Sequence, residues 1–267
     1  MGNLRAVRRL LLVALTTVFF ELVLLGGSIV YLGSRRGRLR VRNFIFRNWA
    51  RWLLRALNVR LTTRGQAPES PFFLVSNHLS YIDILVLASR VDAVFIAKSE
   101  IESWPIVGLL CRSVGTLFVD RTSRRDVPRV VAEIDRTLAD GQGIVLFAEG
   151  TSSGGVEVLP FRPPLLEVAA RQRIPVSYAS LSYRTAGDSP PAHLAVCWWG
   201  GMAFGGHAWR MFALPGFDAT LSFGDKPIID GDRKRLAERL QAAVSGLFVP
   251  VGQMPPESAS GTGPRPA

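Results

Sequence analysis

The sequence predicts an α/β protein: a mixed, largely parallel sheet flanked by helices, with an N-terminal membrane-associated helical segment. Three observations lead there. Between residues 71 and 248, apolar runs of strand length alternate with longer amphipathic stretches, the pattern of βα units around a parallel sheet. Leu10 to Leu32 is almost continuously apolar and bracketed by arginines. Three of the strand-length runs end in polar clusters, where open α/β sheets gather their ligands.

The net charge of +11 is unevenly placed: residues 1–64 hold thirteen arginines against one acid, Glu21, and the remainder is close to neutral. The chain therefore has a basic foot rather than a basic body. With no positive excess beyond that foot to build a groove, a nucleic-acid partner is excluded. The apolar share of 48% rules out global disorder. Cys111 and Cys197 show neither CxxC nor His/Cys ligand spacing, so they read as free buried thiols and no metal site is expected.

In chain order, Leu10 to Leu32 comes first. At ~1.5 Å per residue it is long enough to span a bilayer core. A transmembrane helix with its more basic C-terminal flank in the cytoplasm is one reading. A helix or bent hairpin lying in one leaflet is another. A cleaved signal peptide is disfavoured, because an arginine cluster follows the run and no A-x-A-like site separates the two. Glu21 at mid-depth and the Gly26-Gly27 break keep the half-inserted reading open. Residues 41–61 place Phe44, Ile45, Trp49, Trp52, Leu53, Ala56 and Leu57 at helical spacing, with Arg42, Arg47, Arg51 and Arg55 between them. This is a basic amphipathic helix, suited to an anionic headgroup region or to packing its stripe on a core. Residues 61–71 read as a polar connector.

Strands are predicted at 72–75, 93–97, 115–119, 144–147, 175–181, 195–199 and 218–224. Helices are predicted from Ile84, over 104–113, over 126–140, over 165–172 and over 232–247, the last capped by Asp230 or Asp232. After Pro250 the composition turns to Gly, Ser and Pro, and the tail reads as disordered.

The polar clusters are Asn77-His78-x4-Asp83, Asp120-Arg121 and Glu149-Gly150-Thr151. The five-residue step from His78 to Asp83 crosses a strand-to-helix turn. It lets a carboxylate return to the imidazole and hold it in one tautomer, as a positioned base requires. Cations and exposed backbone N–H groups beside that base suit an anionic substrate.

Asn77-His78-Leu79-Ser80-Tyr81-Ile82-Asp83 resembles the NHxxxxD motif of the glycerolipid acyltransferases, the family of 1-acyl-sn-glycerol-3-phosphate acyltransferase. Residues 115–121 (GTLFVDR) resemble that family's second block, 147–153 (FAEGTSS) its FPEGTRS block, and 159–162 (LPFR) its LPFK. Lys98, Pro105 and Gly108 also stand where the family has Lys, Pro and Gly. The likeness runs closely over residues 45–184. It implies a membrane anchor over residues 1–64, a catalytic domain over 65–249 and a tail over 250–267.

The resemblance further implies that His78 is the general base and Asp83 its orienting partner. It places Asn77, Lys98, Arg121, Glu149, Gly150, Thr151 and Arg162 around the acceptor. No cofactor is implied. The acyl group comes from acyl-CoA or acyl-ACP (acyl carrier protein) as co-substrate and moves to a lysophospholipid, first of all 1-acyl-sn-glycerol 3-phosphate. Membrane lipids are then the other partners, with the catalytic domain on the cytoplasmic side. The absence of a GxSxG elbow fits direct attack without an acyl-enzyme.

Two residues depart from the pattern: Ala148 stands for Pro and Ser152 for Arg. The second removes a phosphate ligand and opens an alternative acceptor, lyso-ornithine lipid, whose acyltransferases resemble this chain in the EGTSS run and in Cys197 to Trp209. His207 is a site candidate on that reading, with a structural histidine as its alternative. A non-catalytic lipid-binding module and a hydrolase are the readings from other classes.

Overall fold

The computed structural model describes residues 2–120 and 126–251. Helix α1 (Gly2–Val30) and helix α2 (Arg35–Ala56) form a hairpin. Its antiparallel sense shows in the pairs Arg9–Ala56, Thr17–Trp49 and Gly27–Val41. Then come β1 (Val59–Arg64), β2 (Phe73–Ser76), α3 (Ile82–Ala88), β3 (Ala93–Lys98), α4 (Val107–Ser113), β4 (Leu117–Val119), α5 (Val127–Ala139) and β5 (Gly143–Phe147). The chain continues through α6 (Glu167–Arg171), β6 (Val176–Thr185), α7 (Ala192–Ala195), α8 (Phe204–Ala213), β7 (Phe217–Phe223) and α9 (Arg233–Leu247).

The strands form one sheet in the order β1-β7-β6-β2-β5-β3-β4, in which only β6 and β7 run antiparallel. The short central strands β2 and β5 are buried along their whole length. That is why they read as unbroken apolar runs rather than alternating ones. One apolar layer packs the sheet against α2, α3 and α8, and a second packs it against α5, α6 and α9. Asp232 caps α9, its carboxylate accepting from the backbone N–H of Lys234 and Arg235; Asp230 instead pairs with Arg235 and Arg239.

Two expectations are corrected. Residues 195–199 form no strand; α7 ends there, and an irregular segment runs on to α8. A short apolar run carries no periodicity to tell a strand from a buried loop. The polar stretch expected to be a connector begins with β1, an edge strand in parallel register with β7. Helix α2 of the expected anchor also packs on the sheet. Ile45, Phe46, Ala50, Leu53, Leu54 and Leu57 of the expected anchor are buried in the core. Several of its arginines also face the domain: Arg47 pairs with Asp92, Arg51 donates to the Ser89 carbonyl and Arg42 donates to Gln142. The expected disordered tail lies outside the described residues past position 251.

Helix α1 lies along the domain on one stripe. Arg5 and Arg9 bond carbonyls at the end of α8, Val13 packs on the core, Thr17 accepts from the Trp49 indole and Glu21 accepts from Ser113 of α4 at 2.8 Å. Steps of four residues keep these side chains on one face. Glu21 thus points at protein. The opposite faces expose Leu11, Leu15, Phe19, Leu22 and Ile29, and the helix is long and apolar enough to be a candidate membrane segment.

Candidate active site

Parallel pairing delivers the polar clusters to one edge of the sheet. Strand β2 sits between β5 and β6, with Ser76 in register with both Phe147 and Ala179. Asn77-His78 and Ala148-Glu149 therefore leave neighbouring strands at the same height. Lys98 ends β3 on the same edge, exposed and with no partner among the described residues. Asp120 follows β4 at the sheet's margin. At ~4.8 Å between strands this is roughly 14 Å from β2. Arg121 lies outside the described residues.

The dyad anticipated from spacing is formed. His78 Nδ1 lies 2.7 Å from Asp83 Oδ2. A carboxylate only accepts, so Nδ1 carries the proton and Nε2 keeps its lone pair. Asp83 is fully buried, and its charge is met by donors on every side. Oδ2 also accepts from the backbone N–H of Leu79 at 2.6 Å and Ser80 at 2.9 Å, and Oδ1 accepts from the Tyr183 hydroxyl at 2.5 Å. The imidazole lies flat on Phe147, ring centroids 4.0 Å apart and planes 15° from parallel. It keeps 21% of its side-chain surface exposed. The Ser153 N–H bonds the His78 carbonyl at 2.9 Å, tying the third cluster's loop to the first.

Two of the expected substrate contacts are buried. Asn77 is fully buried and spends both ends of its amide on Leu181: Nδ2 donates to the carbonyl at 2.9 Å and Oδ1 accepts from the N–H at 2.8 Å. It locks the end of β2 to β6. Glu149 is 1% exposed. Its Oε1 accepts from the Leu159 N–H at 3.3 Å, and Oε2 is buried without a hydrogen-bond partner among the described residues. Burial raises its pKa to about 8 with the Asp83 charge adding, against backbone N–H bonds from His78 and Leu159. The folded protein thus holds a neutral acid where the unfolded chain holds a carboxylate. Stability from this group is full below the unfolded pKa and declines as pH rises towards 8, by up to about 1.4 kcal/mol per pH unit. Glu149→Gln is expected to flatten that decline, and thermal unfolding from pH 5 to 8 checks it.

The rest of the third cluster is accessible. Gly150 turns at φ +74°, a conformation glycine adopts without strain, and Thr151 beside it is exposed. Arg162 anchors through Nε on the Glu149 carbonyl at 3.0 Å and leaves the remainder of its guanidinium at the surface. Ser152, the departure from the family pattern, donates to the Trp198 carbonyl at 2.5 Å, and the Trp198 N–H bonds the Leu79 carbonyl. The segment after α7 is thereby pinned to both loops, and Trp198 packs with Tyr81 and Phe204. His207 is fully buried, its Nδ1 3.0 Å from the Tyr81 hydroxyl. It braces this wall through Tyr81.

A buried carboxylate bonded to an imidazole that opens at a sheet edge, in a domain that also packs an apolar hairpin, defines an α/β protein with a candidate acid–base site. Known proteins sharpen that class. Residues 44–180 match the family described as Acyltransferase, and the chain belongs to that family. It is 32% identical over 254 residues to the lyso-ornithine lipid O-acyltransferase of Brucella abortus, covering 90% of this chain and 94% of that protein. It is 39% identical over 163 residues to the protein of the same name from Rhizobium meliloti, covering 61% of this chain and 55% of that one. The fold resembles the crystal structure of the 1-acyl-sn-glycerophosphate acyltransferase PlsC of Thermotoga maritima, with a TM-score of 0.60 and 21% identity over 91% of this chain and 97% of that one.

Proposed function

We propose that the protein is a membrane-bound O-acyltransferase that moves a fatty acyl group from acyl-CoA or acyl carrier protein to the free hydroxyl of a lysolipid. The observation that carries this reading is the His78–Asp83 pair, with Nδ1 held at 2.7 Å and Nε2 unclaimed by any described residue. His78 Nε2 takes the proton from the acceptor hydroxyl as its oxygen attacks the thioester carbonyl. Asp83 stabilises the imidazolium that forms. The C–S bond breaks as the C–O bond is completed, and the imidazolium returns its proton to the departing thiolate.

Lyso-ornithine lipid is the first acceptor on this reading. Ser152 is committed to Trp198 where the family pattern offers an arginine, so the loop supplies one cation fewer than a phosphate head asks for. An ornithine head balances its carboxylate with an ammonium. The relatives from Brucella abortus and Rhizobium meliloti support the same choice. Lysophosphatidate is the second reading, favoured by Lys98, exposed without a partner among the described residues, and by the outward guanidinium of Arg162. The α1–α2 hairpin sits in the cytoplasmic leaflet, supported by the apolar faces of α1 and by Arg36, Arg40 and Arg55, which are exposed without partners among the described residues.

The test is thiol release and product formation with lyso-ornithine lipid, lysophosphatidate or glycerol 3-phosphate as acceptor. Acylated ornithine lipid as the main product supports the proposal. Preference for lysophosphatidate reverses the order of acceptors, and thiol release without any acceptor points to a hydrolase. No release above the His78→Ala background leaves a lipid-binding module.

A further inference from the structure

We propose that Tyr183 is the third member of the dyad, a positioning residue that holds Asp83 in the orientation His78 needs. The inference rests on the acyl-transfer reading above, and it comes from how the acceptors of one buried carboxylate are shared out. Oδ2 of Asp83 serves three donors: His78 Nδ1 and the N–H groups of Leu79 and Ser80. Oδ1 faces away from them and takes only the Tyr183 hydroxyl, at 2.5 Å, among the described residues. Asp83 has no solvent exposure and Tyr183 has 2%, so no water replaces that donor. Without it, one oxygen of a buried carboxylate is left unmet, a state a carboxyl avoids by turning or by taking up a proton.

The placement is built into the sheet. Tyr183 lies on β6, opposite Ala219 of β7, and its ring packs edge-on to Phe217 at 5.9 Å. Two residues back on β6, Leu181 is clamped by the Asn77 amide. The same strand therefore fixes both ends of the Asn77–Asp83 turn. Burial and the adjacent Asp83 charge push the Tyr183 phenol well above its ordinary range, so it stays a donor at every working pH. Glu149 and Cys197 also feel the Asp83 charge, and each is held towards its neutral form, first by burial. The cation that balances Asp83 is thus the imidazolium formed during turnover, and Tyr183 sets how the carboxylate meets it.

Tyr183→Phe removes one oxygen and keeps the ring. The expected result is a drop in kcat of roughly ten-fold, the scale of outer hydrogen-bond partners elsewhere, with KM for the acceptor little changed. The acid limb of kcat/KM moves to higher pH, because a carboxylate with fewer donors holds the proton it shares with the imidazole more tightly. A purely structural role lowers activity equally at all pH and leaves the limb where it was. Asp83→Asn and the double variant close the cycle: if Tyr183 acts through Asp83, adding Tyr183→Phe to Asp83→Asn brings no further loss. Equal losses in both backgrounds, or an unmoved limb, overturn the proposal.

NMR titration of the His78 imidazole in detergent, assigned with His78→Ala, reads the coupling without turnover. It keeps the test distinct from the acceptor assay. An upward shift in Tyr183→Phe supports the positioning role even if every acceptor offered fails, and no shift overturns it. Should Tyr183→Phe not fold, Phe217→Leu loosens the ring's packing while keeping the hydroxyl. It is then expected to show a smaller shift of the same sign, and an unchanged titration overturns the proposal.

Discussion

Replacing His78 with Ala is expected to lower kcat/KM by on the order of 10²–10⁴ while the melting temperature stays near that of the parent. The size follows from the division of labour at the site. The imidazole has its lone pair on Nε2 at the open face, and no second described base stands beside it: Glu149 is held as the neutral acid by burial, and Asp83 has no exposed surface. What survives is positioning of donor and acceptor. The stability side follows from exposure, because His78 contributes a ring stacked on Phe147 at the surface of the core rather than a plug within it. Steady-state assays with parallel thermal unfolding check both parts. A loss of only a few-fold means another group takes the hydroxyl proton.

Arg9→Ala carries the largest expected effect on stability, about 2–4 kcal/mol. Arg9 is 3% exposed. It donates to four carbonyls: Ala56 at the end of α2, and Phe212, Leu214 and Pro215 at and just after the end of α8. Ala56 and Phe212 are last-turn carbonyls and Leu214 and Pro215 follow directly on α8, so a cation there also meets the negative ends of two helix dipoles. Arg9→Lys recovers only part of the loss, since an ammonium has three donors and no fork. Chemical unfolding in detergent, followed by tryptophan fluorescence, measures it. A helix that crossed the bilayer away from the domain would leave the transition unchanged on losing Arg9.

The dyad was legible because its two members lie five residues apart across a single strand-to-helix turn. Nearly everything that supports it was not. Phe147 and Tyr183 reach His78 and Asp83 from strands whose order and register decide the contact, and neither residue type marks itself as part of a site. Asn77 and Glu149 show that burial inside a motif stays hidden as well. Polar residues inside a recognisable motif read as ligand contacts, yet one is consumed by Leu181 and the other sealed under the loop. The apolar stripe of α2 is equally apt for lipid or for a core, and only the sheet's position settles that Ile45, Leu53 and Leu57 face protein while Phe44 and Trp52 stay exposed. The alternation of elements over residues 71–248 was the more secure reading, because burial of β2 and β5 leaves a signal within each segment alone.

The outermost strand has a consequence for how the chain is made. Arg60 of β1 meets Asp218 of β7 across a separation of 158 residues, and Arg9 reaches Leu214 across 205. Both hairpin helices and the first strand leave the ribosome well before the segment that completes them exists. Contacts this distant in sequence form late and slowly. During that interval the leucine-rich faces of the first helix need a shelter, and the bilayer is the one at hand. On the membrane-bound reading proposed above, delivery to the bilayer is a step in building the protein, ahead of any role in bringing it to a substrate.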